Sequence, residues 1–485
     1  MRVLYVAAEA YPLEKTGGLG DVTGALPPAL IRQGLDVRLL LPGLPAIIKG
    51  MLDLKPVAKL EPAFSARAIT LLAGRMPDSG VPAYVIDAPD LYERPGNPYL
   101  GPDGRDWGDN HQRFALLGSV AARLATGSLD SRWTADVIHS HDWHAGLAPA
   151  YASAQSGPRP GTVFTIHNLA YQGLFPYERY ADLGLPPEFF AVDGLEFYGQ
   201  VSFMKAGLFF ADRVTTVSPT YALEIHGPEE GCGLEGVISA RGGAVKGILN
   251  GVDYQVWNPA TDPVLPQDYT AANLKGKAAC KAALQADLGL EIRPDTLLFC
   301  AVSRLTPQKG LDLALNALPE IIRQGGQLVL LGSGDADMEE RFRQAAAKYP
   351  QSVSATIGYD EAFSHKIIAG SDVVLVPSRF EPCGLTQLYG LRYGTLPLVR
   401  RVGGLADTVL DANQSNLKND TATGFVFESA DVADFSDAVG RAFAAYGDRS
   451  IWSKLIRRAM AQNFSWDEAA LEYASLYRDV SEGVK

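Results

Sequence analysis

The second half of the chain contains two cations five residues apart, at the end of an apolar run. Arg304 and Lys309 follow the run at 297–302 and precede a helical pattern. Arginine offers a planar fork of donors and lysine a compact point charge, and both bind phosphate oxygens. The pattern is typical of a diphosphate clamp, with two solvated surface charges as the alternative interpretation.

A carboxylate follows a later apolar run, at 373–376, and leads into a helix. Glu381 precedes the small residues Cys383 and Gly384, and the Gly403-Gly404 turn repeats this arrangement. Backbone N–H groups in the first turn of a helix lack partners within the helix and attract phosphate oxygens. We therefore expect anion-binding amides here, beside a carboxylate at the end of a strand.

A glycine-rich turn follows the first apolar run of the chain. Lys15 precedes Gly17 and Gly18, and an apolar-periodic helix begins near Asp21. Glycines let backbone amides approach a bound anion or sugar, and the lysine favours phosphate. A tight turn in which Asp21 caps the helix is the alternative. The spacing is not the GxGxxG of dinucleotide-binding proteins.

Three histidines and an aspartate stand close together after the run at 137–139. The set comprises His139, His141, Asp142 and His144, with Trp143 among them. Metal ligation is one interpretation, although a strand sends alternate side chains to opposite faces. The interpretation we favour is a polar loop that grips sugar hydroxyls. Trp143 could stack on a pyranose or belong to the core.

Two further polar groups need an interpretation. His167 and Asn168 follow the run at 163–166 and offer neutral hydrogen-bonding groups that suit a sugar, with a satisfied structural histidine as the alternative. Asp335 and Asp337 resemble a metal-binding DxD pattern. Their place directly before a helical run favours a helix N-terminus, so we assign no metal.

Short apolar runs alternate with longer helical patterns along the chain, and these runs predict the elements that position the polar residues. Apolar runs that end at Gly, Pro, Ser or Asp are typical of strands buried on both faces, and interleaved helices imply parallel sheets. Ligands of open α/β sheets bind at the carboxyl ends of the strands, where these polar residues stand. The runs are 3–6, 37–41, 83–86, 137–139, 163–166, 214–217, 297–302, 328–331, 373–376 and 396–399.

The series of runs restarts near residue 295, which predicts two doubly wound α/β domains with their strand ends on one cleft. We expect the first domain to cover residues 1–250 and the second to cover 251–465. A helical stretch at 272–284 lies between the two series. A last helix, within residues 466–485, has apolar residues at helical spacing as far as 479.

Composition excludes several classes of partner. The formal net charge of −12 argues against nucleic acid and anionic membranes, because both need a basic protein face. The four scattered cysteines fit a reducing compartment. Glu9 and Pro12 interrupt the N-terminal apolar run, and no run approaches the roughly 18 apolar residues of a membrane span. We expect a soluble, cytoplasmic protein, and the sequence does not specify its oligomeric state.

Six motifs, in order along the chain, resemble those of bacterial glycogen synthases and plant starch synthases. Each is weak singly, and together they run from the first residues to the last helix. They are Lys15-Thr16-Gly17-Gly18-Leu19, His141-Asp142-Trp143-His144-Ala145-Gly146, Thr165-Ile166-His167-Asn168, Leu249-Asn250-Gly251-Val252-Asp253, Ser303-Arg304-Leu305-Thr306 with Gln308-Lys309-Gly310, and Arg379-Phe380-Glu381-Pro382-Cys383-Gly384-Leu385-Thr386-Gln387-Leu388.

The resemblance implies a GT-B fold, in which two Rossmann-like domains face a deep cleft and the last helix crosses back to the first domain. It implies retaining, metal-independent transfer of glucose from ADP-glucose to the non-reducing end of glycogen or a malto-oligosaccharide, without a further cofactor. The first domain would then bind the glucan acceptor and the second the nucleotide sugar. The preference for ADP over UDP rests on the resemblance alone.

Residue roles carry over from the resemblance by position. Arg304 and Lys309 resemble the groups that hold the diphosphate and stabilise the leaving ADP. Glu381 resembles the carboxylate beside the donor glucose, and His167 the histidine next to that sugar. The donor-binding positions are Lys15, Gly18, Tyr359 (which would stack on adenine), Cys383, Gly384, Leu385 and Thr386, and the sugar or acceptor positions are Asp21, Tyr99, Asp142, Asn168 and Asn250.

One departure from the wider GT-B superfamily concerns its second glutamate, which would fall at Tyr389. The glycogen synthase branch also lacks that glutamate, so other groups must recognise the ribose. We expect front-face attack, in which the leaving phosphate takes the proton of the acceptor, and not a carboxylate nucleophile. A Rossmann oxidoreductase is disfavoured because GxGxxG is absent, and a non-catalytic glucan-binding protein because Arg304, Lys309 and Glu381 are intact.

Overall fold

The computed structural model describes residues 1–483. They divide into two compact units. Residues 1–251, together with those from 466 onward, form the first unit, and residues 252–465 form the second. The sequence predicts these boundaries at 250 and 465.

The strands of the first unit include every predicted apolar run of that half. They are β1 (Arg2–Val6), β2 (Asp36–Pro42), β3 (Leu52–Leu60), β4 (Ile69–Arg75), β5 (Pro82–Asp87), β6 (Val137–His141), β7 (Gly161–Ile166), β8 (Leu174–Pro176), β9 (Glu196–Phe197), β10 (Gln200–Ser202), β11 (Arg213–Thr216) and β12 (Val245–Gly247). Within the described chain, nine of them form one sheet in the order β12-β11-β7-β6-β1-β2-β5-β4-β3. A small separate sheet has the order β8-β10-β9.

The centre of the large sheet is parallel and buried because its strands are apolar on both faces. β6 and β7 are buried at every position, and β1 at every position but Arg2. The pairs from β12 to β5 are parallel, as predicted. The antiparallel strands β3 and β4 were not predicted. β3 is the edge strand, is mostly exposed and carries Lys55, Pro56 and Lys59 in place of an apolar run.

The helices of the first unit connect these strands. They are α1 (Gly18–Arg32), α2 (Pro45–Gly50), α3 (Pro89–Tyr92), α4 (Asn110–Ala125), α5 (Asp142–Ala145), α6 (Leu147–Ala154), α7 (Phe203–Phe210), α8 (Pro219–Glu224) and α9 (Glu235–Ala240). The strand order reverses between β1 and β6. Such a reversal leaves a crevice at the carboxyl ends of the two strands. Lys15 follows β1, Asp142 follows β6 and His167 follows β7, so all three lie at the edge where ligands bind.

The second unit has a wholly parallel sheet and a continuous chain. Its strands are β13 (Leu298–Val302), β14 (Gln327–Gly332), β15 (Val353–Ile357), β16 (Val373–Val376), β17 (Leu396–Arg400) and β18 (Phe425–Phe427). Its helices are α10 (Lys275–Asp287), α11 (Leu311–Arg323), α12 (Ala336–Lys348), α13 (Glu361–Gly370), α14 (Thr386–Tyr393), α15 (Gly403–Thr408), α16 (Gln414–Lys418), α17 (Val432–Gly447) and α18 (Arg449–Ala461).

The strand order of this second sheet is β15-β14-β13-β16-β17-β18. It is the strand order of the six-stranded Rossmann fold, with the reversal between β13 and β16. Arg304 follows β13 and Glu381 follows β16, which places both at the carboxyl edge beside the reversal. The helix predicted at 272–284 is α10, and it belongs to this unit.

The last helix, α19 (Trp466–Gly483), belongs to the first unit although it follows the second in the chain. Its Tyr473 and Tyr477 are 1% and 0% exposed, so the helix completes the core of that unit. Arg32 on α1 holds its start through Asp467, at 2.7 Å. Among residues 1–483, no helix combines the length and apolarity that crossing a bilayer requires.

Candidate functional site

In the second unit, the loops that follow β13 and β16 are bonded to each other. The backbone N–H of Arg379 donates to the carbonyl of Gln308 at 2.8 Å, and its guanidinium binds both oxygens of Asp312 at 2.8 and 2.7 Å. Gly310 lies so close to the opposite loop that an added Cβ would stand 2.0 Å from the carbonyl oxygen of Pro377. The two loops therefore form one braced surface.

Glu381 is buried on this surface with a cation beside it. Its Oε2 accepts from Nζ of Lys309 at 2.6 Å and from the hydroxyl of Ser378 at 2.8 Å. Gly403 packs against its backbone, where a Cβ would lie 1.9 Å from the Glu381 carbonyl oxygen. Two hydrogen bonds thus hold the carboxylate and Gly403 packs against the backbone of Glu381; the contact with Ser378 was not predicted from the sequence.

The two predicted phosphate cations differ in their environment. Lys309 is paired with Glu381, so the interpretation as a solvated surface charge is wrong for this residue. Arg304 is exposed, and its guanidinium makes no ion pair with any residue of the described range 1–483. Arg304 is therefore the cation with its full donor set open to a ligand.

The start of α14 supplies the predicted amides. Gly384 has a left-handed φ of +75°, and α14 begins at Thr386 after the N-cap residue Leu385, with no side chain capping it. Cys383 is buried, and its carbonyl accepts from the side-chain amide of Gln387 at 3.0 Å. The first N–H groups of α14 consequently have no side-chain competitor for an anion.

Two further predicted residues follow strands of the same sheet. Tyr359 comes two residues after β15 and is 62% exposed, with its hydroxyl bonded to Glu361. Asp335 caps α12 by accepting from the N–H of Met338 at 3.0 Å, which confirms the predicted helix N-terminus. Among residues 1–483, no group of three or more His, Cys, Asp or Glu side chains is placed to hold a metal ion.

In the first unit, the glycine-rich turn after β1 carries an ion pair. Nζ of Lys15 lies 2.8 Å from Oδ1 of Asp21. Gly17 is the N-cap and Gly18 the first residue of α1, with no side-chain cap. Asp21 lies in the first turn, so the alternative interpretation of Asp21 as the helix cap is wrong.

Glu9 is a further site residue that sequence reasoning passed over. It lies just after β1, is 2% exposed, and its Oε2 accepts from both the N–H and the hydroxyl of Thr16, at 2.5 and 2.7 Å. Burial raises the pKa of Glu9 to about 7. A carboxyl group directly after an apolar strand was the available signal, and here it holds the turn that presents Lys15.

Asp142 is held in an uncommon backbone conformation at the end of β6. Its φ is +55°, and its Oδ1 accepts from the N–H groups of His167 at 2.7 Å and Asn168 at 3.3 Å. Burial raises the pKa of Asp142 to about 7. The carboxyl group therefore fastens the turn after β7 to the end of β6, which a left-handed residue at this position makes possible.

The segment around Asp142 is a strand end and a helix and not the predicted loop, while its contact with sugar hydroxyls stays a prediction. β6 extends to His141 and α5 begins at once, because the imidazoles are buried within the sheet and the core. His144 is 6% exposed and Trp143 is 9% exposed, with the Trp143 ring 4.9 Å from Phe114. Tyr99, a predicted acceptor residue, stacks on His144 at 4.3 Å. Trp143 is therefore a core residue.

The remaining predicted polar residues of the first unit differ in how many of their hydrogen-bonding groups are already paired. Nε2 of His167 lies 2.9 Å from Nδ1 of His141, and burial lowers the pKa of His167 to about 3. Oδ1 of Asn168 accepts from the N–H of Ala170 at 3.0 Å, which leaves its NH₂ group. Asn250 follows β12, is 6% exposed, and its Oδ1 has no hydrogen-bond partner within residues 1–483.

The sequence of the chain is similar to the sequences of one family of known proteins. Residues 2–240 match the family described as starch synthase catalytic domain, and residues 289–458 match glycosyl transferases group 1. A glycogen synthase from Leptothrix cholodnii is 56% identical over 488 residues, covering 99% of this chain and 100% of the relative. One from Francisella tularensis subsp. novicida is 54% identical over 485 residues, covering 99% of each. The chain belongs to the glycogen synthase family.

Solved structures resemble the chain along its length. The catalytic domain of starch synthase IV from Arabidopsis thaliana, bound to ADP and acarbose, has a TM-score of 0.90 and 34% identity, with 99% of each chain covered. A sucrose-phosphate synthase from Thermosynechococcus elongatus has a TM-score of 0.61 at 18% identity over 99% of each, which shows the fold alone. The fold of this glycogen synthase family member is GT-B, which confirms the prediction.

Proposed function

We propose that the chain transfers glucose from ADP-glucose to the non-reducing end of an α-1,4-glucan, with retention and without a metal ion. The observation that carries this proposal is identity of 54–56% to glycogen synthases over 99% of the chain. The starch synthase with the same fold was solved with ADP, which supports an adenine nucleotide as the donor's carrier. The free cysteines fit the cytoplasm as the place of the reaction.

The donor diphosphate would be bound by the second unit. Arg304 offers an unpaired guanidinium, and the start of α14 offers backbone N–H groups. Lys309, although paired with Glu381, keeps two of its three ammonium donors for phosphate oxygens. Charges and dipoles fixed in advance stabilise the negative charge that develops on the departing ADP.

The reaction breaks the bond between C1 of glucose and the β-phosphate oxygen, and ADP leaves with the electron pair. The acceptor O4 then bonds to C1 from the same face, and its proton passes to the phosphate oxygen. Front-face attack is supported by the state of Glu381. Its Oε2 already accepts two hydrogen bonds, and this engagement weakens a carboxylate as a nucleophile.

Chain extension tests the activity directly. The full chain is incubated with maltotriose and either ADP-glucose or UDP-glucose, with and without EDTA, and the products are separated by length. We expect extension with ADP-glucose that EDTA leaves unchanged. Absence of turnover with both donors would contradict the proposal, and loss of turnover in EDTA would contradict its metal-free part.

The front-face step has its own test. The protein is incubated with a slowly reacting fluorinated glucosyl donor and then digested. The mass of the peptide that contains Glu381 is measured by mass spectrometry. We expect the unmodified mass. A glucosyl adduct on Glu381 would establish a carboxylate nucleophile instead.

A further inference from the structure

Three imidazoles form a column behind the turn after β7. His139 and His141 stand two residues apart on β6, so their side chains share one face of the sheet. Their ring centroids are 4.0 Å apart, and the centroids of His141 and His167 are 5.2 Å apart. Tyr5 stacks on His141 at 4.1 Å. The column runs from the interior of the sheet to His167.

The inner end of the column is anchored by the last helix. Nδ1 of His139 lies 2.7 Å from the hydroxyl of Tyr477, and Nε2 lies 2.6 Å from the hydroxyl of Thr165. Within residues 1–483, His139 is the only hydrogen-bond partner of the Tyr477 hydroxyl, which is buried. A buried hydroxyl places its proton on the available acceptor, so Tyr477 donates to Nδ1 and Nε2–H of His139 donates to Thr165.

The middle of the column determines where the proton of His167 resides. Nδ1 of His141 lies 2.9 Å from Nε2 of His167, while Nε2 of His141 is buried without a partner in the described chain. A proton on that orphaned Nε2 would make it a buried N–H donor without a partner, and such donors are rarer in folded proteins than acceptors with an unused lone pair. His141 therefore carries its proton on Nδ1 and donates it to Nε2 of His167.

We propose that His141 is a positioning residue that fixes His167 as the neutral tautomer protonated on Nδ1, within a column anchored by Tyr477. The ring nitrogen of His167 that faces away from His141 is then an N–H donor. This inference rests on the proposed function for its catalytic consequence, but the tautomer is a property of the protein without substrate.

The packing around the column makes the tautomer, and not the charge, the relevant variable. Desolvation by burial holds the pKa of His139 and His141 well below the usual histidine range. The three rings are therefore neutral at neutral pH, and each has one N–H to place. Tyr5 and His139 pack against the His141 ring, with centroids 4.1 and 4.0 Å away, and this packing opposes the rotation that would exchange its two nitrogens.

Nitrogen NMR of the ligand-free protein tests the tautomer. The full chain contains seven histidines, few enough for ¹⁵N-histidine labelling and long-range ¹H–¹⁵N correlation, with signals assigned from single His→Gln variants. We expect Nδ1 protonated and Nε2 unprotonated in both His141 and His167. A proton on Nε2 of His167 overturns the inference, and this readout remains valid if the chain has no activity on ADP-glucose.

A pair of substitutions separates positioning from simple packing. The amide of asparagine reaches the place of Nδ1, whereas that of glutamine reaches the place of Nε2. We expect His141→Asn to keep the tautomer of His167 and His141→Gln to lose it. The kcat/KM of His141→Gln should be about tenfold lower than that of His141→Asn, as for one lost hydrogen bond. Equal spectra and equal kcat/KM for the two variants overturn the inference.

The anchor is tested by Tyr477→Phe against Tyr92→Phe. Tyr92 is a second buried tyrosine of the first unit, and its hydroxyl donates to the carbonyl of Arg113 at 2.6 Å, away from the column. We expect Tyr477→Phe alone to shift the His139 nitrogens and to lower kcat/KM about threefold or more, for a lost neutral hydrogen bond. Unchanged His139 signals in Tyr477→Phe would overturn the role of Tyr477.

Discussion

Nζ of Lys309 and Oε2 of Glu381 lie 2.6 Å apart, and their side chains are 19% and 8% exposed. The pair is therefore asymmetric: the ammonium can reach water if its partner is removed, whereas the carboxylate cannot. A charge left buried without a partner costs more than one that can be hydrated.

This asymmetry predicts that Lys309→Gln destabilises the protein more than Glu381→Gln does. We expect a loss of about 2 kcal/mol for Lys309→Gln and about 1 kcal/mol for Glu381→Gln, as for hydrogen bonds to charged groups. Calorimetric unfolding of the full chain measures both, together with the double variant. The double variant should lose less than the two single losses combined, and strict additivity would contradict a direct pair.

Arg304 is expected to show the opposite behaviour, because its guanidinium is exposed and makes no ion pair in the described chain. Arg304→Ala should leave stability within about 0.5 kcal/mol and lower turnover with ADP-glucose by about a hundredfold or more. Arg457→Ala, an exposed arginine on α18, is the matched control and should change neither quantity. Full activity in Arg304→Ala would remove it from the donor site.

Asp142 combines a left-handed backbone with two accepted hydrogen bonds, so its replacements separate the two effects. Asparagine tolerates positive φ and keeps a carbonyl oxygen, so Asp142→Asn should lose less than about 1 kcal/mol of unfolding free energy. Asp142→Ala adds the steric cost of the left-handed backbone to the loss of both hydrogen bonds, and should lower the free energy of unfolding by about 3 kcal/mol. Chemical denaturation checks the order, and equal losses would show that the backbone conformation is not strained.

Glu9 acts on the turn that presents Lys15 by accepting two hydrogen bonds from Thr16. Because its pKa is raised to about 7, Glu9→Gln should resemble the wild type at pH 6 and diverge from it at pH 8. Glu9→Ala removes both hydrogen bonds and should raise KM for ADP-glucose about tenfold at either pH. Initial rates at the two pH values measure this, and a pH-independent Glu9→Gln effect would contradict the raised pKa.

Buried titratable groups of the first unit also predict how stability depends on pH. Burial lowers the pKa of four histidines, so below the ordinary histidine pKa of 6.5 the native state binds fewer of their protons than the unfolded state does. Burial raises the pKa of two carboxyl groups to about 7, so below pH 7 these groups bind more protons in the native state than in the unfolded state. The histidines are His139, His141, His144 and His167, and the carboxyl groups are Glu9 and Asp142.

Near pH 5 the four histidines outnumber the two carboxyl groups, so unfolding takes up a net of about two protons, and this number falls towards pH 6.5 as the histidines of the unfolded state lose their protons. Stability should therefore rise as pH increases to about 6.5, by about 1.4 kcal/mol per pH unit for each net proton. Urea unfolding at a series of pH values gives the slope. His144→Gln should reduce that slope by about one proton, and a slope of zero in the wild type would contradict the neutral buried histidines.

Local sequence patterns predict those features of the fold that depend on local burial. The parallel strands could be predicted because a strand buried on both faces must be apolar throughout. β3 could not, because an edge strand needs no apolar run. Arg304, Lys309 and Glu381 could be found because they stand in the loops that follow buried strands, where ligands of open α/β sheets bind.

Other features of the candidate site depend on contacts that no local pattern contains. The sequence places His139 in a predicted polar loop. In the structure its imidazole lies inside the sheet, where it is hydrogen-bonded to the hydroxyl of Tyr477, 338 residues later in the chain. In the sequence Glu9 only interrupts an apolar run. Its role in holding the turn depends on the hydrogen bond that it accepts from the hydroxyl of Thr16. In both cases the role of the side chain depends on a hydrogen bond that forms only in the folded chain.

The place of α19 in the first unit has a consequence for synthesis on the ribosome. The second unit is continuous, so its core needs no residue beyond 465. The first unit is synthesised earlier but lacks Tyr473, Tyr477 and their helix until residues 466–483 emerge. The domain that begins first is therefore finished last, and its open core must be protected from aggregation throughout translation of the second.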